Sequence, residues 1–526
     1  MRELLGLDFL WPSWIWVVAL PIVTSPLVYL LGRIFQRVRD TSELRRARGP
    51  WTANPIRWVS LGVMLLTLVP YAAAWRDLAD GKALQLTVGL VALKFDGISL
   101  LLSGAVLVLG VLVSVFSGPY IGHETGQEKY HALLNAMIGA MLGLGCAADL
   151  FNLWIWFETA AVASYMLVAY HSDQPASLEA GMKYLVQNSV GSMLALIGIG
   201  LVFSQTGTLN LEALRSAIAA GAGSRPLFLA AGALFCVGFG VKIAMVPLHT
   251  WLPDAHAQAP SGISAMLSGV VIESGIVALL RALSIVASTT SAWGAIFLAF
   301  GAVNMIVGNL LALRQTQLKR LLAFSSLSHV GYMLLGLGFA LSFGQAEGAQ
   351  GGAFHLLTHA AMKGLAFLAA GSLLFALRLS RGDHGPLEKE DLCGAARRYP
   401  LIALSLTVAL LGLGGLPPLG GFMSKWQIFA SGARSGNGVA VALVVFGVLN
   451  SLLSFAYYAP LVSTMYRHTT SPLVTAGSRV PVGMVVPIVV LAALVVAFGV
   501  WPGLASGLTV PAGQVVLAIF SRQGGL

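Results

Sequence analysis

The chain has 526 residues, 57% of them hydrophobic and only 10% charged, and 31 Lys and Arg against 21 Asp and Glu give a net charge of +10. Apolar runs long enough to cross a bilayer recur from end to end, which excludes a water-soluble globular protein and makes the fold class an all-α, polytopic membrane protein. Three distant cysteines (Cys146, Cys236, Cys393) form no ligand spacing, and no phosphate-cradling or dinucleotide motif sits in a strand–helix setting, so no metal, nucleotide or redox cofactor is expected on this chain.

About fourteen transmembrane helices are expected. The first three, near 13–35, 56–75 and 97–117, fall within residues 1–120 and include a basic loop after the first. No small-residue cleavage site follows that first span, so it reads as retained. Five more, near 130–148, 151–171, 181–205, 226–252 and 262–287, form a block within 121–290. A second block of five, near 292–313, 320–343, 352–378, 400–432 and 438–465, fills 291–470. A last span near 482–501 and a short tail complete 471–526. Each block holds an odd number of helices, so the second is expected to run inverted relative to the first. Both carry a proline-interrupted helix with a lysine in fourth position, which is the best sequence pointer to a transport site.

The basic residues give the topology. Nineteen, among them Arg33, Arg45, Arg46, Arg48, Lys129, Lys183, Lys319 and Arg398, lie in or near the segments after odd-numbered spans; eight, among them Arg2, Lys82, Arg215 and Arg522, lie on the other side. The positive-inside rule then places both termini on the outer side of a bacterial-type plasma membrane. The net charge is therefore a topology signal, and nucleic acid is not an expected partner.

Four basic residues lie within spans: Lys242, Arg281, Lys363 and Lys425. A charge at membrane depth costs about 3 kcal/mol on insertion scales, and intramembrane charges mark ion pathways. Lys242 adjoins Pro247, and Lys425 follows Pro417 and Pro418. Glu158 lies mid-span among aromatics, and Glu273 in a run of valine and isoleucine. His355, His359 and Lys363 are spaced four apart, so they share one helical face that must look toward protein or water. Zinc binding is the competing reading of the histidine pair, but no third ligand is near in sequence. For Glu158 and Lys242 the competing reading is a static buried ion pair, a weak stabiliser. Arg281 is expected near a helix end, reaching the interface by its long stem; Lys363 is a second, weaker case of the same kind. Burial and neighbouring charge together set where such acids and bases exchange protons, the physical requirement for a relay.

Three motifs bring in a family. Residues 242–261 (KIAMVPLHTWLPDAHAQAPS), 318–332 (LKRLLAFSSLSHVGY) and 414–425 (GGLPPLGGFMSK) resemble the antiporter-like membrane subunits of complex I, of multisubunit Na+/H+ antiporters and of membrane-bound hydrogenases. The resemblance covers roughly 90–470. It implies fourteen helices, an inverted repeat with broken helices 7 and 12, and a hydrophilic axis at the membrane midplane. It also implies that Glu158 is the glutamate of the fifth helix, Lys242 the lysine of the seventh, His355 and His359 the histidines of the eleventh and Lys425 the lysine of the twelfth. Glu273 departs from the pattern, since members often carry lysine or histidine there. The short tail makes the chain more similar to the M, N or D-type subunits than to subunit L. The expected function is proton translocation as a membrane subunit of an NADH-quinone oxidoreductase-type complex, with H+ (or Na+), lipid and other membrane subunits as partners. A D-type antiporter subunit, a hydrogenase subunit and a structural scaffold with a vestigial axis are the alternatives.

Overall fold

In a computed structural model, residues 12–41, 55–89, 91–122, 124–381 and 385–521 are described. Helices α1 (Trp16–Thr41) and α2 (Ile56–Ala79) lead to an antiparallel hairpin, β1 (Leu84–Val88) and β2 (Val91–Phe95), in which Leu84 opposes Phe95. Then come α3 (Gly97–Tyr120), α4 (Gln127–Cys146), α5 (Leu150–Val168), α6 (Pro175–Thr206), the short α7 (Leu211–Ala219) and α8 (Arg225–Ile243). Helix α9 (Trp251–Gln258) follows a break, and α10 (Ser261–Met266) joins α11 (Ile272–Ile285) through π-helical turns at Leu267–Val271. The second half has α12 (Trp293–Leu313), α13 (Leu318–Phe343), α14 (Ala346–Arg381), the short α15 (Ala395–Arg398), α16 (Pro400–Gly414), α17 (Gly420–Arg434) and α18 (Gly438–Met465). A short α19 (Pro472–Ala476), α20 (Val482–Val500) and α21 (Ser506–Ser521) close the chain.

Among the described residues, thirteen helices are long and apolar enough to cross a membrane. Twelve of the fourteen expected spans are in that set. The 127–146 segment falls outside it, and the 400–432 segment is split into α16 and α17 by the turn at 415–419. The thirteenth member, Pro502–Phe520, occupies what the sequence suggests is a short tail. Pro502, Gly503, Gly507, Pro511 and Gly513 hide it as a helix, yet α21 packs on α3 and α14. The expectation that both termini lie outside rests partly on Arg2 and Arg522, which, with Arg45, Arg46 and Arg48, are outside the described residues.

Side chains fix the helix starts. Asp96 begins α3 with a capping box: its carboxylate accepts from the Ile98 and Ser99 amides, and Ser99 Oγ accepts from the Asp96 amide. Asp149 caps α5 through the Asn152 amide (2.7 Å) and also accepts from the Ala92 amide (2.8 Å), which fastens the hairpin to the bundle. The opposite, basic face holds a second fastening. Asp254 on α9 binds Lys183 of α6 (3.0 Å) and Arg320 of α13 (2.5 Å). Burial pushes the Asp254 carboxyl up, but the bonds from Lys183 and Arg320 outweigh it and hold the group below the usual carboxylate range. A lowered folded value means that the contribution is present above the ordinary Asp value of about 3.9 and is lost as pH falls through the folded value. Hydrogen exchange of the 251–258 amides is therefore expected to stay slow from neutrality down to about pH 4 and to quicken in Asp254→Asn at neutral pH.

The core is organised around three spans. Every residue in the most apolar stretches of 261–285 and 318–343 is buried, as is 94% of that of 346–377, against 22% for α18 at the periphery. These three central spans carry Glu273, His329, His355, His359 and Lys363. A polar group is affordable there because it meets other protein instead of lipid.

Candidate ion-transfer axis

Lys242 sits in the last turn of α8, 1% exposed. The helix stops because Ala244 adopts φ +58°, the left-handed region, at a cost of about 1 kcal/mol or more for a non-glycine. Neighbours satisfy the freed backbone. Asn304 of α12 accepts from the Val246 amide (2.9 Å), Gln187 of α6 accepts from the Trp251 amide (3.0 Å), and the Trp251 indole donates to the Val241 carbonyl (2.8 Å). Helices α6 and α8 touch at Gly191 and Gly238, where a Cβ on Gly238 would lie 2.6 Å from the Gly191 carbonyl oxygen. That closeness brings Tyr184 onto the lysine. Lys242 Nζ donates to Tyr184 Oη (2.8 Å) and Ser164 Oγ (3.3 Å), and Tyr184 stacks on Trp251 at 4.0 Å.

The static Glu158–Lys242 ion pair of the competing reading is not made. No ion pair within 4.0 Å joins them among the described residues; Tyr184 and Ser164 hold the ammonium instead. Glu158 is half-buried on α5, with one carboxylate oxygen enclosed and lacking a hydrogen bond.

Glu273 lies just past the π-helical turns, where an extra residue per turn rotates the face that α11 presents. It is fully buried, and its Oε1 is 2.9 Å from His359 Nδ1 on α14. The His359 ring is 5.1 Å from the ring of His329 on α13. His329 Nδ1 is hydrogen-bonded to His355 Nε2 (3.0 Å), and His355 Nδ1 to Ser424 Oγ (2.9 Å). The next residue is Lys425. Its Nζ donates to the Leu413 carbonyl (2.8 Å) and Ser451 Oγ (2.9 Å) and lies 4.5 Å from the Tyr332 ring centre. The Leu413 and Gly414 carbonyls are orphan acceptors at the C-terminal end of α16, where the helix dipole favours a cation.

The face shared by His355, His359 and Lys363 is thus turned inward, toward α11, α13 and α17. Lys363 does not reach the interface. It is fully buried, and its Nζ donates to Ser325 Oγ (2.6 Å) and the Leu322 carbonyl (2.7 Å). Arg281 does not reach the interface either. It is 6% exposed and forms a bidentate ion pair with Asp96 (3.0 and 3.2 Å), while also donating to Ser99 and the Gly145 carbonyl. The Asp96 carboxylate that caps α3 is 185 residues away in sequence, so no local signal shows the pair. Arg281→Met is expected to lower stability by about 3–5 kcal/mol, because it strands a buried carboxylate. Adding Asp96→Asn should recover part of the loss. Thermal unfolding of the two variants checks this.

Sequence reasoning assigned no role to His329 or Asn304. Both had a visible signal, a lone polar side chain in an expected span, and neither has the regular spacing that singled out the α14 stripe.

Residues 147–454 match the family model described as NADH:quinone oxidoreductase/Mrp antiporter, TM. The F(420)H(2) dehydrogenase subunit N of Methanosarcina mazei is 32% identical over 426 residues, covering 80% of this chain and 85% of that protein. The NADH-quinone oxidoreductase subunit N of Desulfitobacterium hafniense is 33% identical over 377 residues, covering 68% and 73%. Among solved structures, a chain of the archaeal membrane-bound sulfane sulfur reductase superposes with a TM-score of 0.81 at 28% identity, covering 96% of this chain and 98% of that one. A chain of respiratory complex I from Thermus thermophilus superposes with a TM-score of 0.73 at 27% identity, covering 94% and 100%. A chain of the Mrp complex from Dietzia shares the fold, with a TM-score of 0.81 at 22% identity. The chain is an antiporter-like, multi-pass membrane subunit and belongs to the NADH:quinone oxidoreductase/Mrp antiporter transmembrane family.

Proposed function

We propose that the chain translocates protons as one membrane subunit of a respiratory complex of the NADH-quinone oxidoreductase type. The path runs along Glu158, Lys242, Glu273, His359, His329, His355 and Lys425. The observation that carries this reading is the contiguity of buried titratable groups on α11, α14 and α13, linked by hydrogen bonds or ring contact and ending through Ser424 beside Lys425. Imidazole, carboxylate and amine groups within hydrogen-bond reach pass protons from one to the next. Two ammonium groups at the breaks repel a bare Na+ ion, which favours H+ as the cargo. Residues 121–290 and 291–470 act as two inverted units, each with its lysine at a broken helix. The basic face is cytoplasmic and the hairpin face outer, by the lysine and arginine bias. Electron transfer belongs to other chains, and the bacterial-type plasma membrane is the location.

The test is purification of the intact complex and its reconstitution into vesicles. Iron–sulfur subunits are expected to co-purify and donor oxidation to acidify one compartment. Co-purification of antiporter subunits alone would favour the D-type alternative. Glu158→Gln is expected to slow pumping about tenfold by removing the charge that acts on Lys242, and Glu158→Asp to slow it less. Pumping per assembled complex is the readout. A loss confined to the amount of complex would mark Glu158 as structural, as a scaffold requires.

A further inference from the structure

Two cavities line up with the histidine cluster. The first, about 30 Å³, lies one helical turn from it toward the hairpin face. Three central helices place it there independently: Ile276 follows Glu273 by three residues, Met333 follows His329 by four, and Leu356 precedes His359 by three. All its walls are apolar, and Ile98 of α3, Leu280 of α11 and Val516 of α21 are among them. The second, about 400 Å³, begins one turn farther on. It is lined by Asp96, Arg281, Ser284, Lys94 and Arg215, with Ala518 of α21 at its rim. From Glu273 to Arg281 is eight residues, about 12 Å along the helix.

The small chamber has room for about two waters but offers them no hydrogen-bond partners, and apolar cavities of this kind stay dry. A dry constriction between two polar compartments blocks proton passage until it is wetted, the way hydrophobic gates work in channels. Glu273 Oε2 and His359 Nε2, both without a hydrogen-bond partner, belong to the cluster on its inner side. The polar vestibule is on its outer side.

We propose that protons leave the axis toward the hairpin face at the junction of the two halves, from Glu273 and His359 through this chamber into the Arg281–Asp96 vestibule, and that Val516 on α21 is the gate. The helix that the sequence presents as a tail thereby becomes a working part. The exit rests on the transfer axis proposed above; the apolar chamber and the place of Val516 in its wall stand on geometry.

Cysteine accessibility in the intact complex tests the gate without relying on pumping. In a background with Cys146, Cys236 and Cys393 replaced, Ala518→Cys and Leu356→Cys are exposed to a charged, membrane-impermeant methanethiosulfonate. Ala518→Cys is expected to react at rest, and Leu356→Cys at least about tenfold more slowly behind the dry gate. Val516→Thr keeps the side-chain volume and adds a hydroxyl that holds water; it should speed Leu356→Cys about tenfold and leave Ala518→Cys unchanged. Val516→Gly, which widens the gate, should act in the same direction. A Leu356→Cys rate that neither Val516 variant changes overturns the proposal. If Leu356→Cys behaves as expected while Lys242→Ala complexes pump normally, the relay through Lys242 falls and the gate stands; normal pumping by Glu273→Gln complexes overturns the exit from Glu273. If those variants stop pumping while Leu356→Cys ignores Val516, the axis stands and the exit lies elsewhere.

Discussion

Lys242→Ala is expected to reduce proton pumping by the reconstituted complex to about one hundredth or less, the scale on which positioned acid–base groups act. Assembly should survive. Tyr184 Oη and Ser164 Oγ, which now receive the ammonium, are 3.0 Å apart and remain hydrogen-bonded to each other, so no buried hydroxyl is orphaned. Removing a buried charge relieves a desolvation cost, and Tyr184 stays stacked on Trp251. The break itself depends on Ala244, Asn304 and Gln187, none of which binds the lysine side chain. Pumping per assembled complex separates the two possibilities. Wild-type pumping by the variant would sink the relay, whereas failure to assemble would make Lys242 a structural residue. Asn304→Leu supplies the contrast: it removes the acceptor for the Val246 amide and should loosen the break, lowering stability by about 1–3 kcal/mol.

Glu273→Gln is expected to stop transport at every pH. Glu273 is where the chain departs from the lysine or histidine that the family resemblance leads one to expect. The sequence leaves two roles open, proton carrier and counter-charge. In the fold its carboxylate meets His359 at 2.9 Å, while its second oxygen has no hydrogen-bond partner. A carrier needs one oxygen toward its proton source and another toward its destination, and this arrangement provides both. Glutamine keeps the size and can hydrogen-bond to His359, but it cannot release and regain a proton each cycle. A counter-charge would instead leave a near-normal maximal rate at a displaced pH optimum. The pH profile of pumping by Glu273→Gln decides, and recovery of the maximal rate at any pH would defeat the carrier role.

Hydropathy, proline and charge determined much of this protein unaided. Apolar run length gave the multi-pass helical fold, because bilayer thickness leaves few alternatives. The coincidence of lysine with proline located both helix breaks, since each is costly in lipid and together they need a reason. The four-residue spacing of His355, His359 and Lys363 gave their common face, because helical periodicity is a local property. The choice of partners was decided by tertiary structure. Lys242 is held by a tyrosine and a serine, Arg281 finds an aspartate 185 residues away, and His329 bridges the rings of one neighbouring helix. Such pairings depend on how helices distant in sequence cross, which no local pattern records. The same is true of α21. Its prolines and glycines read as a tail until α3 and α14 supply the surface that stabilises it as a helix, because packing overrides intrinsic propensity wherever enough apolar surface is buried.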